Sequence, residues 1–354
     1  EHFCEYIDNG GKGELILDYP RTAKEAEFWC YKFWNNKPVQ KITDIPGETK
    51  IINPDLQNQM QNTLEQQTKM FKPYQWIEYD VNDNDTLMKI SDFFNKNYSI
   101  GKKYKNKYTP AYLKWALGIN GRIIGIQTQN IIGGILTFNT KTYQVNNKEF
   151  VVNDVIHFCI HKKLREKGIA ELFINETERL ALLNGVQFGT FCTNRYVPTP
   201  LCKLEYFYRP INYKKLHTAN YVRLENGNSI EQNEALLDID YKLMYETEKM
   251  TAKHYKGAYD LLCEYQDKYN HHQKYTFDEF VQSFANSPIV SSYVILNDDG
   301  DIADFYSFYK LDSCVCNEFM DSKMINKSKK SEKSEKSEKS EQSEQSEQSE
   351  QLEN

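Results

Sequence analysis

Several features that would assign the chain to a familiar class are absent from its sequence. No window approaches about 18 uninterrupted apolar residues, so no transmembrane helix is predicted. Positive charge is not in excess, since 44 Lys and Arg face 50 Asp and Glu for a net charge of −6, whereas general nucleic-acid-binding proteins are usually basic. The first residues, Glu-His-Phe-Cys, contain neither an initiator Met nor a signal peptide. We therefore expect a fragment or processed form of a cytoplasmic protein that neither inserts stably into membranes nor binds nucleic acid.

The cysteines and histidines give no metal or disulfide pattern. None of the eight cysteines forms a C-x-x-C pair, and a chain of this length needs no disulfide framework. His157 and His161 are four residues apart in a strand-like run rather than in an H-E-x-x-H helix. His271 and His272 are expected to lie in a solvated loop. Cys159 is expected to be a buried core thiol rather than a nucleophile, so we predict reduced thiols and no metal.

The residues that are present favour a folded chain with more than one lobe. Aromatic residues make up 14% of the sequence, and 354 residues at roughly 150 per domain fit two lobes or one large domain. From 327 to 351 the chain repeats Ser-Glu-Lys and then Ser-Glu-Gln, which cannot bury an apolar core and is expected to be disordered. The predicted divisions are an N-terminal extension (1–70), a first lobe (71–216), a partial second lobe (217–322) and a tail (323–354).

Hydrophobic periodicity predicts helices and strands in both lobes. The predicted helices are 21–34, 85–97, 109–117, 169–183, 254–268 and 276–284, and the predicted strands are 122–127, 131–138, 142–145, 149–160, 188–193, 290–296 and 302–309. The last two strands flank an Asn-Asp-Asp-Gly turn and should form a hairpin. Because helices precede strands in both halves, we predict a mixed α/β fold containing an internal repeat of one unit.

The strongest local signal is a basic turn between a strand and a helix. The apolar run 155–161 leads into Lys-Lys-Leu-Arg-Glu-Lys-Gly, and the predicted helix begins directly after Gly168. Glycine lets the backbone approach a phosphate closely, and a helix N-terminus presents unpaired N–H groups with partial positive charge. The spacing of Arg165, Gly168 and Ala170 therefore suits a diphosphate ligand, although the Walker and dinucleotide glycine motifs are both absent. An ordinary solvated basic turn explains the same residues equally well.

In this context the Arg-x-x-Gly-x-Ala spacing resembles the acyl-CoA-binding turn of the GNAT superfamily. The fuller run at 158–165 resembles the N-myristoyltransferase (glycylpeptide N-tetradecanoyltransferase) family, and further segments match that family in order over roughly residues 25–311. These segments are 31–34 (Tyr-Lys-Phe-Trp), 37–39 (Lys-Pro-Val), 97–98 (Asn-Tyr), 108–117, Thr193, 198–200 (Pro-Thr-Pro), 206–207 (Tyr-Phe), Asn212 and 304–309 (Asp-Phe-Tyr-Ser-Phe-Tyr). Each segment alone is weak, and their common order makes the resemblance specific.

The resemblance implies two tandem GNAT-like lobes, the second of them truncated, in a monomer that uses myristoyl-CoA as co-substrate and no metal. The N-terminal glycine of a peptide or nascent protein would attack the thioester directly. The backbone N–H groups of His157 and Phe158 would polarise the thioester carbonyl, and Thr193 would orient the amine. The residues implied in CoA or acyl binding are Tyr31, Lys32, Phe33, Trp34, Phe158, Cys159, Ile160, Arg165, Glu166, Lys167, Gly168, Ile169 and Ala170. The residues implied in peptide binding are Tyr98, Tyr104, Thr193, Tyr206 and Ser307.

Three functions remain open at the level of sequence. The resemblance implies that the family's own C-terminal carboxylate, buried in the core, deprotonates the glycine ammonium. This chain loses the matching segment after about Leu311, and the carboxylate of Asn354 is not expected to reach the site. The sequence therefore fits an active myristoyltransferase, an inactive homologue that binds acyl-CoA or acylated peptides, and another GNAT N-acyltransferase that prefers a short acyl group.

Overall fold

The computed structural model describes residues 20, 22–41, 44, 47, 66–98, 104–193, 195–224, 227–238 and 245–315. The predicted repeat tail and most of the N-terminal extension lie outside these residues, as do Cys4 and Cys316. In the part of the chain that is described, no helix combines the length and the apolar character needed to cross a bilayer. All of the candidate site residues lie within the described ranges.

The described residues contain both helices and strands in each lobe, which confirms the predicted mixed α/β class. The helices are α1 (Ala23–Phe28), α2 (Asn84–Asn97), α3 (Pro110–Leu117), α4 (Ile169–Leu183), α5 (Tyr213–Thr218), α6 (Ile230–Leu237), α7 (Tyr255–Gln266) and α8 (Phe277–Phe284). The strands are β1 (Gln75–Tyr79), β2 (Tyr104–Lys107), β3 (Gly121–Thr128), β4 (Ile131–Val145), β5 (Lys148–Ile160), β6 (Phe188–Phe191), β7 (Glu248–Lys249), β8 (His271–Lys274), β9 (Val290–Leu296), β10 (Ile302–Tyr309) and β11 (Asp312–Val315). The hairpin of β9 and β10 was predicted and is confirmed.

Capping side chains explain where the main helices begin. Asp83 accepts hydrogen bonds from two backbone N–H groups in the first turn of α2. Thr109 accepts from the first turn of α3, and Pro110 occupies its first position, where the missing N–H is no loss. Thr276 and Glu279 form a reciprocal capping box at the start of α8. These local signals are why the starts of these three helices were predictable.

The first lobe is organised around one sheet with the strand order β1–β3–β4–β5–β6. The prediction of separate strands at 131–138 and 142–145 was wrong, because β4 is one strand of 15 residues. Its first half pairs with β3 and its second half with β8, while β5 pairs along its other edge. Asn146 and Asn147 join β4 to β5 with φ of 47° and 64°, the positive values that a type I′ hairpin turn requires.

Strand β8 contradicts another prediction. His271 and His272 were expected in a solvated loop, but they pair with Val145 and Gln144 at the far end of β4. The His272 side chain is only 7% exposed, and the Lys274 ammonium forms an ion pair with Glu149. A strand of the second lobe thus completes the sheet of the first. Local sequence does not report such pairing, because it depends on a partner more than a hundred residues away.

Helices cover both faces of the sheet and create two cores. The core under α2 and α3 contains Leu87, Ile90, Phe93, Phe94, Tyr108, Leu113, Leu117, Ile123, Ile135 and Cys159. The core under α4 contains Ile124, Ile126, Leu136, Phe138, Leu164, Ile169 and Phe173. A Cβ added to Gly134 would lie 2.9 Å from the Phe173 ring, so glycine at this position lets α4 approach the sheet closely. Burying one such large apolar side chain contributes about 1.5–3 kcal/mol.

The second lobe has its own core and meets the first through α3 and α8. Met250, Ala258, Phe280 and Val294 form the buried centre between α7, α8 and the sheet of β7, β9 and β10. At the junction of the lobes, Trp115 Nε1 donates to the Ser283 carbonyl at 3.1 Å, and Gln282 donates to the Trp115 carbonyl at 2.9 Å. The Trp115 indole also stacks on Tyr309 with the ring centroids 5.0 Å apart. Trp115 therefore supplies a stacking contact and two hydrogen bonds between the lobes, in addition to the pairing of β8 with β4.

Candidate functional site

The predicted basic turn lies between β5 and α4. His161 ends the extended run and its Nδ1 accepts from the Lys163 N–H at 3.2 Å. Glu166 and Gly168 both adopt left-handed backbone, with φ of 61° and 72°. Gly168 is the N-cap of α4, and no side chain caps the helix. Gly168, Ala170 and Glu171 are exposed, and the N–H groups in the first turn of a helix without a side-chain cap can bind an anion.

Arg165 stabilises this turn from within. Its guanidinium donates to the carbonyl of Ile160 at 3.1 Å and to the carbonyl of Asn97. The side chain therefore ties the turn to the end of β5 and to the last residue of α2. Next to it, Ile169 is buried in the core while Ala170 is exposed. The exposed positive charges of the turn belong to Lys162, Lys163, Lys167 and Arg165 itself.

The end of β5 has an open edge. Parallel pairing with β6 runs from Val152 to Val155 and then stops, although β5 continues to Ile160. On the other edge a bulge at Ile156 interrupts the register with β4, since Thr137 faces His157 while Phe138 faces Val155. Within the described residues no strand covers the β6 side of the last part of β5. Backbone groups on this edge are therefore accessible to a ligand that needs hydrogen bonds.

Side-chain hydroxyl groups face the backbone N–H groups of His157 and Phe158, the two amides implied in polarising the thioester carbonyl. The His157 N–H donates to the Thr137 hydroxyl at 3.1 Å. Burial raises the pKa of Tyr98, and a hydrogen bond from the Phe158 backbone N–H to the Tyr98 hydroxyl opposes that rise. Both amides thus have an oxygen acceptor, and both acceptors are side-chain hydroxyls that can rotate.

The His157 side chain lies in a closed aromatic environment. Its Nδ1 is 3.0 Å from the same Thr137 hydroxyl, and the side chain is buried. Aromatic rings surround it at centroid distances of 5.4–6.2 Å: Phe94, Tyr98, Tyr108 and Tyr112. Burial lowers the pKa of His157 to about 4. The imidazole is therefore neutral at neutral pH and is a poor acceptor for an ammonium proton.

Cys159 is a buried core thiol, as predicted. Its side chain packs with the core under α2 and α3, and burial raises the pKa of the thiol to about 12. A thiol that stays protonated at neutral pH is not a nucleophile. The neighbouring side chain, Phe158, points to the opposite face of the sheet, where its ring centroid is 5.3 Å from that of Phe173.

The N-terminal segment 31–41 lies against α4 and the end of β6. The Lys37 ammonium donates to Asn175 and Glu178 on α4. Trp34 stacks on Phe191, with the ring centroids 5.7 Å apart and the planes within 9°. Residues remote in sequence are therefore brought to the end of β6, two positions before Thr193.

Tyr31, Lys32 and Phe33 differ in their surroundings. Tyr31 is buried, and its hydroxyl has no hydrogen-bond partner within the described residues. Phe33 contacts Trp34 edge-on at 5.1 Å, and Lys32 is exposed. A buried hydroxyl without a partner is costly, and a polar ligand beside Tyr31 would relieve that cost.

The structure separates the five residues implied in peptide binding. Tyr98 contacts His157 and forms part of the aromatic environment described above. Thr193 is exposed just beyond β6, and its hydroxyl accepts from the Arg195 N–H at 3.1 Å. Tyr104 donates to the Ala219 carbonyl at 3.2 Å, beside the end of α5.

The other two of these residues lie farther from β5. Ser307 is on β10 and accepts from the Ser292 hydroxyl at 2.9 Å. The same strand contacts the first lobe two residues later, where Tyr309 stacks on Trp115 of α3. Tyr206 is 77% exposed in a stretch without regular structure. The structure therefore places Tyr98 beside the two amides and does not bring Tyr206 to them.

Sequence reasoning missed Thr137, whose hydroxyl contacts both the amide and the ring of His157. The signal was present, because Thr137 is a polar residue inside the apolar run Ile-Leu-Thr-Phe of a buried strand. A fully buried hydroxyl must find a hydrogen-bond partner. The partner could not be named without the register of β4 against β5.

Models of one family match most of this chain. Residues 53–204 match the family described as Myristoyl-CoA:protein N-myristoyltransferase, N-terminal domain, and residues 218–333 match its C-terminal domain. The chain belongs to the N-myristoyltransferase family. Together with the GNAT-like fold of that family, this confirms the resemblance inferred from the ordered motifs.

Named relatives agree with the family assignment. The glycylpeptide N-tetradecanoyltransferase of Eremothecium gossypii is 27% identical over 317 residues, which cover 86% of this chain and 69% of the relative. That of Candida albicans is 27% identical over 82% of this chain and 67% of the relative. That of Drosophila melanogaster is 25% identical over 80% of this chain and 62% of the relative. The chain thus spans about two thirds of the length of these N-myristoyltransferases.

Solved structures show the same fold. A crystal structure of Saccharomyces cerevisiae N-myristoyltransferase with bound myristoyl-CoA superposes with a TM-score of 0.73 at 23% identity, covering 80% of this chain and 71% of that one. Another from the same yeast, also with bound myristoyl-CoA, gives a TM-score of 0.75 at 22% identity, covering 85% and 70%. The N-myristoyltransferase fold is therefore retained at low sequence identity.

Proposed function

We propose that the chain transfers the myristoyl group of myristoyl-CoA to the N-terminal glycine of peptides or nascent proteins. The observation that carries this proposal is the end of β5, where two consecutive amides that donate to side-chain hydroxyls adjoin a helix N-terminus without a side-chain cap. An acyl-CoA needs both features, one for its thioester carbonyl and one for its phosphates. In this assignment the first lobe (71–216), with the N-terminal extension, binds acyl-CoA, and the second lobe (217–322) contributes to peptide binding.

The turn at 161–168 accounts for the CoA end. The N–H groups after Gly168 and the ammonium groups of Lys162, Lys163 and Lys167 supply hydrogen bonds and positive charge to phosphates. Arg165 holds the turn in shape through the carbonyls that it binds. The buried Tyr31 hydroxyl offers a further polar contact to the pantetheine or phosphate groups.

The amides of His157 and Phe158 account for the reacting carbonyl. When the thioester oxygen reaches them, the hydroxyls of Thr137 and Tyr98 must release the two N–H groups. The amides then stabilise the negative charge that develops on the oxygen, a contribution commonly worth about 3 kcal/mol per donor. Because the donors belong to the backbone, they do not depend on the side chains of His157 and Phe158.

The reaction joins the glycine nitrogen to the acyl carbon and breaks the carbon–sulfur bond. The neutral amine attacks the thioester carbonyl, the tetrahedral intermediate collapses, and the amine proton passes to the departing thiolate to give free CoA. Thr193, which lies just beyond the end of β6, would hydrogen-bond the amine. A Cβ on the first peptide residue would crowd this approach, which explains a requirement for glycine.

Incubation with radiolabelled myristoyl-CoA and matched peptides tests the proposal. We expect label on a Gly-initiated peptide, none on the same peptide initiated by Ala, and less transfer from labelled acetyl-CoA. Free thiol should appear in equal amount with the acyl peptide. Myristoyl-CoA binding without turnover would instead indicate an inactive binding homologue, and preferential acetyl transfer would indicate a different GNAT N-acyltransferase.

A further inference from the structure

A small basic ribbon projects from the region of the two amides. Strand β11 pairs antiparallel with β2, and the pairs run from Asp312 opposite Lys107 to Val315 opposite Tyr104. We call these two strands (Tyr104–Lys107 with Asp312–Val315) the β2–β11 ribbon.

One end of the ribbon is anchored beside the site. Tyr108, which follows β2 directly, contacts the His157 ring at 5.5 Å. Leu311, which precedes β11 directly, packs against the core that contains Tyr108. The Lys107–Asp312 end of the ribbon is therefore next to the aromatic environment of His157, and the Tyr104 end leads away from it.

The ribbon carries a net positive charge, because it contains two lysines and one aspartate. Lys105 faces Cys314, and Lys107 faces Asp312. The Asp312 carboxylate is 3.4 Å from the ammonium of Lys310, which lies just before the ribbon. Neither Lys105 nor Lys107 forms an ion pair within the described part of the chain. Two ammonium groups are therefore unpaired on a short strand, in a protein whose net charge is −6.

The distances fix which part of a substrate would meet these lysines. Lys105 lies three residues before Tyr108, which is about 10 Å of extended strand at roughly 3.3 Å per residue. An extended peptide rises by the same amount per residue. The Tyr108 and His157 ring centroids are 5.5 Å apart, which adds about two residues of extended peptide. If its glycine lies at the two amides and it leaves along the ribbon, the third residue after the glycine passes Lys107 and the fifth passes Lys105.

We propose that the β2–β11 ribbon selects peptides with acidic side chains at the third to fifth positions after the N-terminal glycine. This inference rests on the proposed acylation of N-terminal glycine and names the substrate class for it. Carboxylates there would pair with Lys105 and Lys107, whereas lysines would be repelled by them. Favourable surface pairs of this kind change affinity by up to about fivefold each, and salt weakens them.

The test uses one Gly-initiated host peptide with three Asp, three Asn or three Lys at these positions. With the full chain and myristoyl-CoA at low salt, we expect kcat/KM to fall in the order Asp, Asn, Lys, with roughly a tenfold span between the extremes. The span should shrink at high salt. The double variant Lys105→Glu with Lys107→Glu should reverse the order.

A matched control uses Lys249→Glu. Lys249 is an exposed lysine on β7, in the other sheet, and this variant should keep the Asp, Asn, Lys order. Peptide acylation with no preference in the unmodified chain, or an order that survives in the double variant, would overturn the inference while leaving the proposed function intact.

Binding separates the two proposals further. The three peptides, carrying a fluorescent label, are titrated by anisotropy in the presence of a myristoyl-CoA analogue that cannot transfer its acyl group. Absence of turnover together with tighter binding of the Asp peptide would contradict the proposed activity and support the acidic preference. Equal binding of all three peptides would contradict the preference whatever the turnover.

Discussion

At the scale of single residues, the contact between Thr137 and His157 has the clearest consequences. One hydroxyl serves both the amide and the ring of His157, and the ring is enclosed by aromatic side chains. The aromatic surroundings exclude water from the imidazole, so its charged form is disfavoured. His157 therefore links the stability of the first lobe to pH.

Replacing His157 by Phe should remove an acid-dependent loss of stability. The pKa of His157 is about 4 in the folded protein and about 6.5 in an unfolded chain. As pH falls below about 6.5, the unfolded state binds the proton first, so folding stability decreases until the pH reaches about 4. The expected loss is about 3 kcal/mol.

Urea unfolding of both proteins at neutral pH and near pH 4.5 measures this loss. Carboxylates titrate in both proteins, so the difference between the two proteins isolates the histidine. An equal decrease in unfolding free energy in the two proteins would contradict a neutral buried His157.

At the scale of elements, helix α4 places a glycine of the same conformation at each end. Gly168 precedes its first residue, and Gly185 follows its C-cap. Both have φ of 72°, and an added Cβ would meet nothing within 4 Å at either position. Their surroundings differ, because Gly168 belongs to the basic turn and Gly185 follows the other end of the helix.

Gly168→Ala and Gly185→Ala should therefore destabilise the fold alike and affect the ligand differently. A left-handed alanine costs about 1 kcal/mol at either end. At Gly168 the new methyl group also lies beside the N–H groups proposed to bind phosphate, so the Kd for CoA should rise several-fold in that variant alone.

Thermal unfolding and calorimetric titration with CoA provide the two readouts. Equal CoA affinities in the two alanine variants would show that the start of α4 does not bind the phosphates.

At the scale of the whole molecule, Trp115 joins the lobes. It stacks on Tyr309, donates to Ser283 and accepts from Gln282 through its carbonyl. The lobes also share two backbone pairings, of β8 with β4 and of β11 with β2. Side-chain substitution at Trp115 therefore weakens one connection and leaves the strand pairings.

Trp115→Ala should lower the unfolding free energy by about 3 kcal/mol and broaden unfolding into separate steps for the two lobes. The control is Trp76→Ala, since Trp76 contacts Phe173 of the first lobe and donates to Thr68 of the N-terminal extension, away from the second lobe. This control should destabilise the protein without separating the lobes. Calorimetry distinguishes one transition from two, and a single sharp transition in Trp115→Ala would show that the strand pairing alone couples the lobes.

Sequence alone determined the family and many of the local elements. The prediction of one helix over 21–34 was wrong, since α1 is only Ala23–Phe28. Helix starts at Asp83, Thr109 and Thr276 depend on side chains within a few residues, and the Asn146–Asn147 turn depends on two adjacent positive φ values. The basic turn before α4 was predicted for the same reason. Motif order along the chain then indicated the family without any knowledge of contacts.

Tertiary structure decided what those elements contact. Pairing of β8 with β4, the bulge at Ile156 and the placement of Thr137 beside His157 all depend on strands brought together from distant segments. Their register is set by burial and hydrogen bonding over the whole sheet, which no local window records. The same reason separates Tyr98, which lies beside the two amides, from Tyr206, which the chain leaves exposed.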